Sequence, residues 1–195
     1  MEKSAAVFLD RDGVINEEVG YLDRLDKLKI IPVAFQAIAL INQSGMKVVV
    51  VTNQAGVARG LFTEEFIIQT NDYLQSILRG QEAHVDKFYY CPHHPTEGEE
   101  PYRRICDCRK PAPGMLIRAA RDLNIDFKKS YLVGDRFNDM EAARKVGVKG
   151  ILVRTGYGSE LLQDDGPDQA APENKPDFIA ADILDAVEWI LKDRK

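Results

Sequence analysis

Six short apolar runs, rich in β-branched residues, are spaced along the chain and separated by segments with helical periodicity. In chain order they read AAVFLD, MKVVVVTN, VDKFYYC, SYLVGD, GILVR and DFIAA. Most are apolar at nearly every position, which is typical of strands buried on both faces. Strands that alternate with helices form right-handed βαβ crossovers. The sequence therefore predicts an α/β fold with a doubly wound, mostly parallel sheet.

Helical patterns lie between these runs. We predict helices at residues 34–42, from residue 64 onward, and at 114–123, 138–146 and 183–192. Thr63 is the expected N-cap of the second helix, because its hydroxyl oxygen can accept a hydrogen bond from a backbone N–H of the first turn. The polar segment 159–176, rich in proline, glycine and aspartate, is predicted to be a surface loop.

Length and composition restrict the class of protein. The chain has 195 residues, 45% of them hydrophobic and 29% charged, with a net charge of -5. This length predicts a single domain, residues 1–195, and the acidic balance argues against a nucleic-acid surface. No apolar run approaches the ~18 residues of a membrane span, and the N-terminus does not resemble a signal peptide. We expect a cytoplasmic protein, a monomer, with neither nucleic-acid nor membrane partners.

Polar residues stand at the ends of three predicted strands. They are Asp10 and Asp12 after the first strand, Thr52, Asn53 and Gln54 at the end of the second, and Asp135 after the fourth. In α/β sheets the ligand crevice lies beyond these strand ends. Two buried aspartates one residue apart repel each other unless something positive lies between them. Carboxylate oxygens suit Mg²⁺, so Asp10, Asp12 and Asp135 are predicted to bind magnesium, which would also attract an anionic substrate.

The paired aspartates also suit phosphoryl transfer. A carboxylate is ionised at pH 7 and needs no base to become a nucleophile, so Asp10, fixed at the strand end, is the predicted nucleophile. Asp12 is the predicted general acid for the leaving alkoxide and then the base for water. Lys110 and Thr52 would hold the phosphoryl oxygens. The alternative is that D-x-D is only a turn or a solvated pair at a strand end.

A segment rich in cysteine and histidine precedes Lys110. Its three cysteines are Cys91, Cys106 and Cys108. An odd number cannot pair completely as disulfides, and with a histidine they form a Cys₃His set suited to structural Zn²⁺. His93 or His94 could be the fourth ligand, and a buried cluster of reduced cysteines is the alternative. Zinc would fix the loop 91–108, which has too little apolar content to fold unaided and leads directly to Arg109 and Lys110.

The order of these motifs resembles the haloacid dehalogenase superfamily. The match runs from Val7 to about Asp139: D-x-D after the first strand, T-N after the second, a lysine before a helix, and G-D-x-x-x-D after the fourth. The resemblance implies the same catalytic roles as above, with the backbone carbonyl of Asp12 on Mg²⁺ and Asp135 as a metal ligand. Asp139 could belong to this acidic set or cap the helix that follows.

Within the superfamily, DRDG, TNQAGVARG, CPHHP and CDCRKPAPGM together look like the D-glycero-D-manno-heptose-1,7-bisphosphate 7-phosphatases. This resemblance favours His93 as the zinc ligand. It implies removal of the C7 phosphate during ADP- or GDP-heptose biosynthesis, typically for lipopolysaccharide. Histidinol-phosphate phosphatases share these motifs and are the alternative. Their cysteine loop is shorter, so the long insert TEGEEPYRRI of this chain favours the heptose enzymes. A catalytically silent phosphosugar-binding protein is the alternative of another class, against which the intact catalytic residues argue.

A phosphorylated sugar needs further contacts. Arg109 and Arg136 flank the proposed site and are expected to bind the distal phosphate or the sugar. Arg109 could instead be a solvated side chain that covers the zinc loop. Segment 17–32 is too short for the separate cap domain that many relatives carry, so we predict an open site without one. The remaining substrate-binding candidates are Glu18, Gly20, Tyr21, Asn53 and Gln54.

Overall fold

The protein contains one parallel six-stranded sheet. A computed structural model describes residues 2–162 and 175–194. In that part of the chain the strands are β1 (Ala6–Leu9), β2 (Lys47–Asn53), β3 (Lys87–Cys91), β4 (Tyr131–Gly134), β5 (Lys149–Val153) and β6 (Phe178–Ala180). The strand order is β3-β2-β1-β4-β5-β6, and every neighbouring pair is parallel. The predicted parallel α/β sheet is confirmed, and each predicted apolar run forms one of its strands.

Helices connect the strands close to where the periodicity predicts them. They are α1 (Val33–Gln43), α2 (Glu64–Arg79), α3 (Gly114–Leu123), α4 (Phe137–Val146), α5 (Gly158–Leu161) and α6 (Ile183–Asp193). Short 3-10 turns cover Leu25–Lys27 and Phe127–Lys129. Thr63 caps α2 as predicted, because its Oγ1 accepts a hydrogen bond from Phe66 N at 3.3 Å.

The loop prediction for residues 159–176 is wrong at its beginning. Helix α5 covers Gly158–Leu161 there. Leu161 N donates to Tyr157 O at 3.1 Å, and Gly158 lies so close to the Val153 carbonyl that a side chain at Gly158 would collide with it. The turn therefore depends on packing against β5, which the polar sequence does not reveal. Residues 163–174 of the predicted loop lie outside the described residues.

Two apolar clusters cover the two faces of the sheet. Along β1, Val7 and Leu9 belong to the cluster that packs against α1 and α6, whereas Ala6 and Phe8 belong to the cluster that packs against α3 and α4. Successive side chains of a strand point to opposite faces, so a strand covered on both sides must be apolar at every position. Two-sided burial explains the continuous apolar runs of the sequence.

The register of the central strands determines where the polar strand ends meet. Leu9 of β1 lies opposite Val50 of β2 on one side and Val133 of β4 on the other. The residues that follow these three positions therefore reach the same edge of the sheet. Asp10, Thr52 and Asp135 are brought together in this way.

None of the helices among the described residues combines the length and the apolar character that a membrane crossing requires.

Candidate active site

A cavity of about 270 Å³ opens at the carboxyl edge of the sheet. It is lined by every residue that the sequence predicts for the reaction, for magnesium or for the substrate: Asp10, Asp12, Glu18, Gly20, Tyr21, Thr52, Asn53, Gln54, Arg109, Lys110, Asp135 and Arg136. These residues come from four separate loops. The tertiary structure thus places all of the predicted groups around one space.

Lys110 is buried beside the proposed nucleophile. Its Nζ lies 2.8 Å from Asp10 Oδ2 and 2.6 Å from Asp139 Oδ1, and it donates a hydrogen bond to Val51 O at 2.8 Å. Burial alone would lower the pKa of Lys110, but the two carboxylates outweigh it and raise that pKa, so the lysine is charged. Burial also dominates at Asp10 and raises its pKa to about 6, against the opposing pull of Lys110.

Three buried carboxylates surround this lysine. Asp10, Asp135 and Asp139 each offer an oxygen, and these oxygens lie within 4.8 Å of one another. Burial, followed by the charges of Asp10 and Asp139, raises the pKa of Asp135 to about 8. When all three carboxylates are ionised, one lysine balances only one of their negative charges. The excess charge and the hard oxygen donors fit a divalent cation such as Mg²⁺.

Two glycines let the backbone close around Asp135. Gly13 and Gly156 both have a positive φ, +80° and +56°, and a Cβ atom at either position would collide with the Asp135 carboxyl group. Tyr157 N donates to Asp135 Oδ2 at 3.0 Å, which fixes the orientation of this carboxylate. Side chains larger than hydrogen at these two positions would displace the proposed metal ligand.

Asp12 is held by three donors of the protein. Arg11 Nη2 lies 3.0 Å from Asp12 Oδ2, Asn16 Nδ2 donates to Oδ1 at 2.9 Å, and Gln54 Nε2 donates to Oδ2 at 2.8 Å. Burial would raise the pKa of Asp12, but Arg11 and these hydrogen bonds together hold it below its ordinary value. Asp12 is therefore ionised and oriented in the free protein.

Arg11 is a buried residue beside the site that the sequence analysis does not identify. Its side chain is only 1% exposed, and besides Asp12 it contacts Asn71 of α2 through Nη1, which lies 3.4 Å from Asn71 Oδ1. The signal was present in the sequence, since Arg11 stands between the two aspartates whose repulsion needs a cation. From the sequence, magnesium alone is expected to meet that requirement. In the structure Arg11 pairs with Asp12, and Lys110 pairs with Asp10. Cationic side chains of the protein therefore offset part of the repulsion between the two aspartates.

Asn53 and Gln54 line the cavity, but their amide groups contact other protein groups. Asn53 Oδ1 accepts from Lys110 N and Asn53 Nδ2 donates to Lys110 O, both at 3.0 Å. Gln54 Nε2 donates to Thr52 Oγ1 at 2.9 Å in addition to Asp12. The amide of Asn53 thus contacts the backbone of Lys110, and that of Gln54 contacts Asp12 and Thr52. The substrate contacts predicted for both residues stay a prediction.

Asp139 combines the two alternatives that the sequence left open. Its Oδ2 accepts a hydrogen bond from Arg136 N at 3.2 Å, at the N-terminus of α4. Its other oxygen pairs with Lys110. Asp139 thus stabilises the start of α4 and also belongs to the acidic group of the site.

The predicted arginines lie at the rim of the cavity. The Arg136 guanidinium stacks 3.5 Å from the centroid of the Tyr157 ring, a partner that the sequence analysis did not identify. Arg109 Nη1 donates to His93 O at 3.3 Å, which joins the rim to the cysteine loop, residues 91–108. Both arginines line the cavity, so Arg109 faces it while it contacts the loop.

The cysteine loop gathers the four side chains predicted for zinc. Ligand atoms of Cys91, His93, Cys106 and Cys108 lie within 4.8 Å of one another, and all three cysteines are free thiols. His93 Nδ1 lies 3.3 Å from Cys108 Sγ. His94 is turned away, since its Nδ1 accepts a hydrogen bond from Glu97 N at 2.9 Å. The donor set fits a tetrahedral Cys₃His site, with His93 as the histidine.

Comparison with known proteins supports the same interpretation. A protein of Salmonella typhi, described as D-glycero-beta-D-manno-heptose-1,7-bisphosphate 7-phosphatase, is 42% identical over the whole length of both chains. The chain belongs to the D-glycero-D-manno-heptose-1,7-bisphosphate 7-phosphatase family. A second member of this family, from Chlorobaculum tepidum, is 38% identical over 96% of this chain and 94% of its own.

Solved structures and a family model agree with this family membership. A crystal structure of a D,D-heptose 1,7-bisphosphate phosphatase from B. bronchiseptica, complexed with magnesium and phosphate, superposes with a TM-score of 0.83. The two sequences are 33% identical, and the superposition covers 97% of this chain and 99% of the B. bronchiseptica chain. The HAD-hydrolase-like family model matches residues 107–186. The similarity to heptose-bisphosphate phosphatases thus extends over nearly the whole chain, whereas the HAD-hydrolase-like model matches only the C-terminal part of the chain.

Proposed function

We propose that the protein is a Mg²⁺-dependent phosphatase that removes the C7 phosphate of D-glycero-D-manno-heptose 1,7-bisphosphate through an aspartyl-phosphate. The observation that carries this proposal is the pairing of Asp10 with Lys110 at 2.8 Å inside a cavity that also holds Asp12 and Asp135. A site that only binds a phosphosugar needs neither a buried nucleophile nor an oriented acid. Membership of the heptose-bisphosphate phosphatase family supports the choice of substrate.

In the first half-reaction the Asp10 carboxylate attacks phosphorus and the sugar C7 oxygen leaves. Asp12 supplies the proton to that oxygen, after the bound phosphate dianion has raised the pKa of Asp12 enough for it to hold one. In the second half-reaction Asp12 takes a proton from water. The water attacks the aspartyl-phosphate, which releases inorganic phosphate and restores Asp10.

Lys110 and Thr52 suit the stabilisation of the phosphoryl group. Lys110 brings a fixed positive charge to the nucleophile. Thr52 Oγ1 accepts a hydrogen bond from Gln54 Nε2. The hydroxyl proton of Thr52 is therefore not used in that bond and can be donated to a phosphoryl oxygen. Both donors are buried and fixed before the substrate arrives, so little reorganisation is needed as the reaction proceeds.

Asp10, Asp135 and the backbone carbonyl of Asp12 would hold the magnesium ion. When bound, Mg²⁺ offsets the negative charge of the phosphoryl oxygens and of the carboxylates around them. Asp139 remains with Lys110 and with the N-terminus of α4 in this arrangement.

The rim of the cavity is proposed to bind the rest of the substrate. Arg109 and Arg136 would contact the second phosphate, and Glu18, Gly20 and Tyr21 would contact the sugar. We further propose a single domain over residues 1–195, without a separate cap, that acts as a monomer in the cytoplasm. Its product would enter the synthesis of nucleotide-activated heptose.

Substrate preference tests this function. We expect Mg²⁺-dependent phosphate release from heptose 1,7-bisphosphate with a kcat/KM at least ~100-fold above that for histidinol phosphate, because the rim arginines gain a second phosphate only with the bisphosphate. The β anomer is expected to be preferred over the α anomer, since several relatives are named for it. A preference for histidinol phosphate would show that the proposed substrate is wrong, while the proposed mechanism would stand. Absence of turnover on every phosphomonoester would favour a silent binding protein.

Metal analysis tests the cysteine loop. We propose that Cys91, His93, Cys106 and Cys108 bind structural zinc, so protein purified without chelator should contain about one Zn²⁺ per chain. His93→Ala should lose the zinc and unfold at a lower temperature. His94→Ala, a change of the same kind on the neighbouring residue, should keep both. A wild-type protein without zinc and with freely titratable thiols would contradict the site.

A further inference from the structure

One arginine of the cavity has no function in the mechanism above. Arg59 follows β2 in the loop 54–60, and its side chain lines the cavity. Its Nη2 lies 2.8 Å from Glu97 Oε2 in the cysteine loop. Its guanidinium carbon also lies over the ring of Tyr21, 5.4 Å from the ring centroid. Arg59 therefore contacts two other loops, one through Glu97 and one through Tyr21.

We propose that Arg59 is a positioning residue for the substrate, which joins the flap, residues 18–22, to the cysteine loop. This proposal rests on the proposed function, since the flap carries the three predicted sugar contacts. Because Arg59 reaches Tyr21 and Glu97 at once, it limits how far the flap can move away from the cysteine loop.

Among the described residues, the hydrogen bonds of the flap lie within the flap itself. Within it, Tyr21 N donates to Val19 O at 3.0 Å and Gly20 N donates to the Glu18 carboxylate, and both bonds are local. Leu22 is buried and anchors the C-terminal end of the flap, whereas Val19 is 40% exposed. The Tyr21 ring against Arg59 thus links the middle of the flap to a distant part of the chain.

The cysteine loop, in contrast, offers a firm support. Gly98 has φ +85° and lies so close to the Ala58 carbonyl that a Cβ atom would collide with it. His94 accepts the Glu97 N–H and so fixes the backbone next to the carboxylate. The loop 54–60 and the tip of the cysteine loop are therefore packed together, and Glu97 holds the Arg59 guanidinium in the orientation that faces Tyr21.

This arrangement predicts an effect on binding and little effect on chemistry. The described contacts of the Arg59 side chain are with Glu97 and Tyr21, and they include none of the groups around Asp10. Both contacts are partly exposed, so each is individually weak. Their loss should loosen the flap and raise the KM for a substrate that uses it, while kcat stays close to its original value.

Kinetics on two substrates test the proposal. With heptose 1,7-bisphosphate, Arg59→Ala is expected to raise KM about tenfold and Glu97→Gln about threefold, with kcat within about twofold. Arg59→Lys should restore part of the loss. With p-nitrophenyl phosphate, which is too small to need the flap, these variants should match the wild type. Arg24→Ala is the matched control, because Arg24 pairs with Asp26 at 3.2 Å on the exposed surface.

Hydrogen exchange of the substrate-free protein provides a second measurement that does not depend on the reaction. Amides of residues 18–22 should exchange about fivefold faster in Arg59→Ala and about threefold faster in Glu97→Gln, and Arg24→Ala should leave them unchanged. The double variant Arg59→Ala/Glu97→Gln should behave like Arg59→Ala alone, since the two side chains act through one contact.

The outcomes separate this proposal from the proposed function. An Arg59→Ala protein with unchanged flap exchange, or with kcat reduced equally on both substrates, would overturn the positioning function. A full effect of Arg59→Ala with none of Glu97→Gln would also overturn it, in favour of a direct substrate contact. If the wild type fails to cleave heptose 1,7-bisphosphate but the flap exchange responds as expected, the proposed function is wrong and the link across the cavity stands.

Discussion

Asp10→Asn is expected to lower kcat by at least about 10⁴-fold without loss of thermal stability. An amide oxygen is a poor nucleophile and cannot form the aspartyl-phosphate. The stability follows from electrostatics, because burial raises the pKa of Asp10 from its ordinary 3.8 to about 6. Such an acid ionises more readily in the unfolded protein than in the folded one. The folded protein therefore loses stability as the pH rises from the unfolded-state pKa to the folded-state pKa of this acid. Asparagine keeps the volume and removes this charge.

The measurement is phosphate release under Mg²⁺, paired with thermal unfolding at pH 7.5 in a chelating buffer. The midpoint of unfolding for Asp10→Asn should equal or exceed that of the wild type, because Lys110 still pairs with Asp139. Asp26→Asn is the control, since Asp26 is an exposed acid that pairs with Arg24 at 3.2 Å, and it should change neither quantity. Near wild-type turnover of Asp10→Asn would remove Asp10 from the nucleophile role. A clearly lower midpoint would show that the ion pair with Lys110 outweighs the cost of burying the ionised Asp10 carboxylate.

Lys110→Met is expected to impair both stability and catalysis. Lys110 Nζ satisfies Asp10, Asp139 and the Val51 carbonyl in a position that is 2% exposed. Methionine replaces the aliphatic stem but leaves buried carboxylates without their cation. The free energy of unfolding should fall by about 3–5 kcal/mol, as for other buried pairs that lose one partner. Loss of a fixed donor to the phosphoryl group should also lower the kcat of the folded protein by about 10²–10³-fold.

Urea denaturation and kcat measurements separate these two effects. In the double variant Lys110→Met/Asp139→Asn, the second change removes one of the unpaired charges, so part of the lost stability should return while kcat stays low. Lys27→Met is the control, because Lys27 pairs with Asp23 at 2.7 Å with both side chains substantially exposed, and it should be nearly neutral. An unchanged unfolding midpoint for Lys110→Met would show that the carboxylates are neutral without the lysine.

Strand-end positions allowed much of the site to be predicted. Asp10, Thr52 and Asp135 follow apolar runs that are buried on both faces, and parallel strands in register place their carboxyl ends at one edge. Their convergence required only the correct identification of the strands. The cluster of three cysteines with one histidine was also predictable, because all of these residues belong to the single loop 91–108.

Other parts of the site could not be predicted in this way. The burial of Arg11 is not visible in the sequence, because it depends on Asn71 of a distant helix. Tyr157 reaches Arg136 only because Gly156 lets the chain pass close to Asp135. Arg59 meets Tyr21 and Glu97 across three loops. Each of these contacts depends on how separate loops approach one another.

The sequence by itself determined the α/β sheet, the family resemblance and the chemical groups of the site, because apolar periodicity and motif order are properties of neighbouring residues. Only the tertiary structure decided which cation balances which carboxylate, that His93 and not His94 joins the cysteines, and that the amides of Asn53 and Gln54 bond to other residues of the site. These outcomes depend on burial and on distances of a few ångströms between segments far apart in the chain. At such distances, electrostatic pairing in a low-dielectric interior decides the partner of each charge.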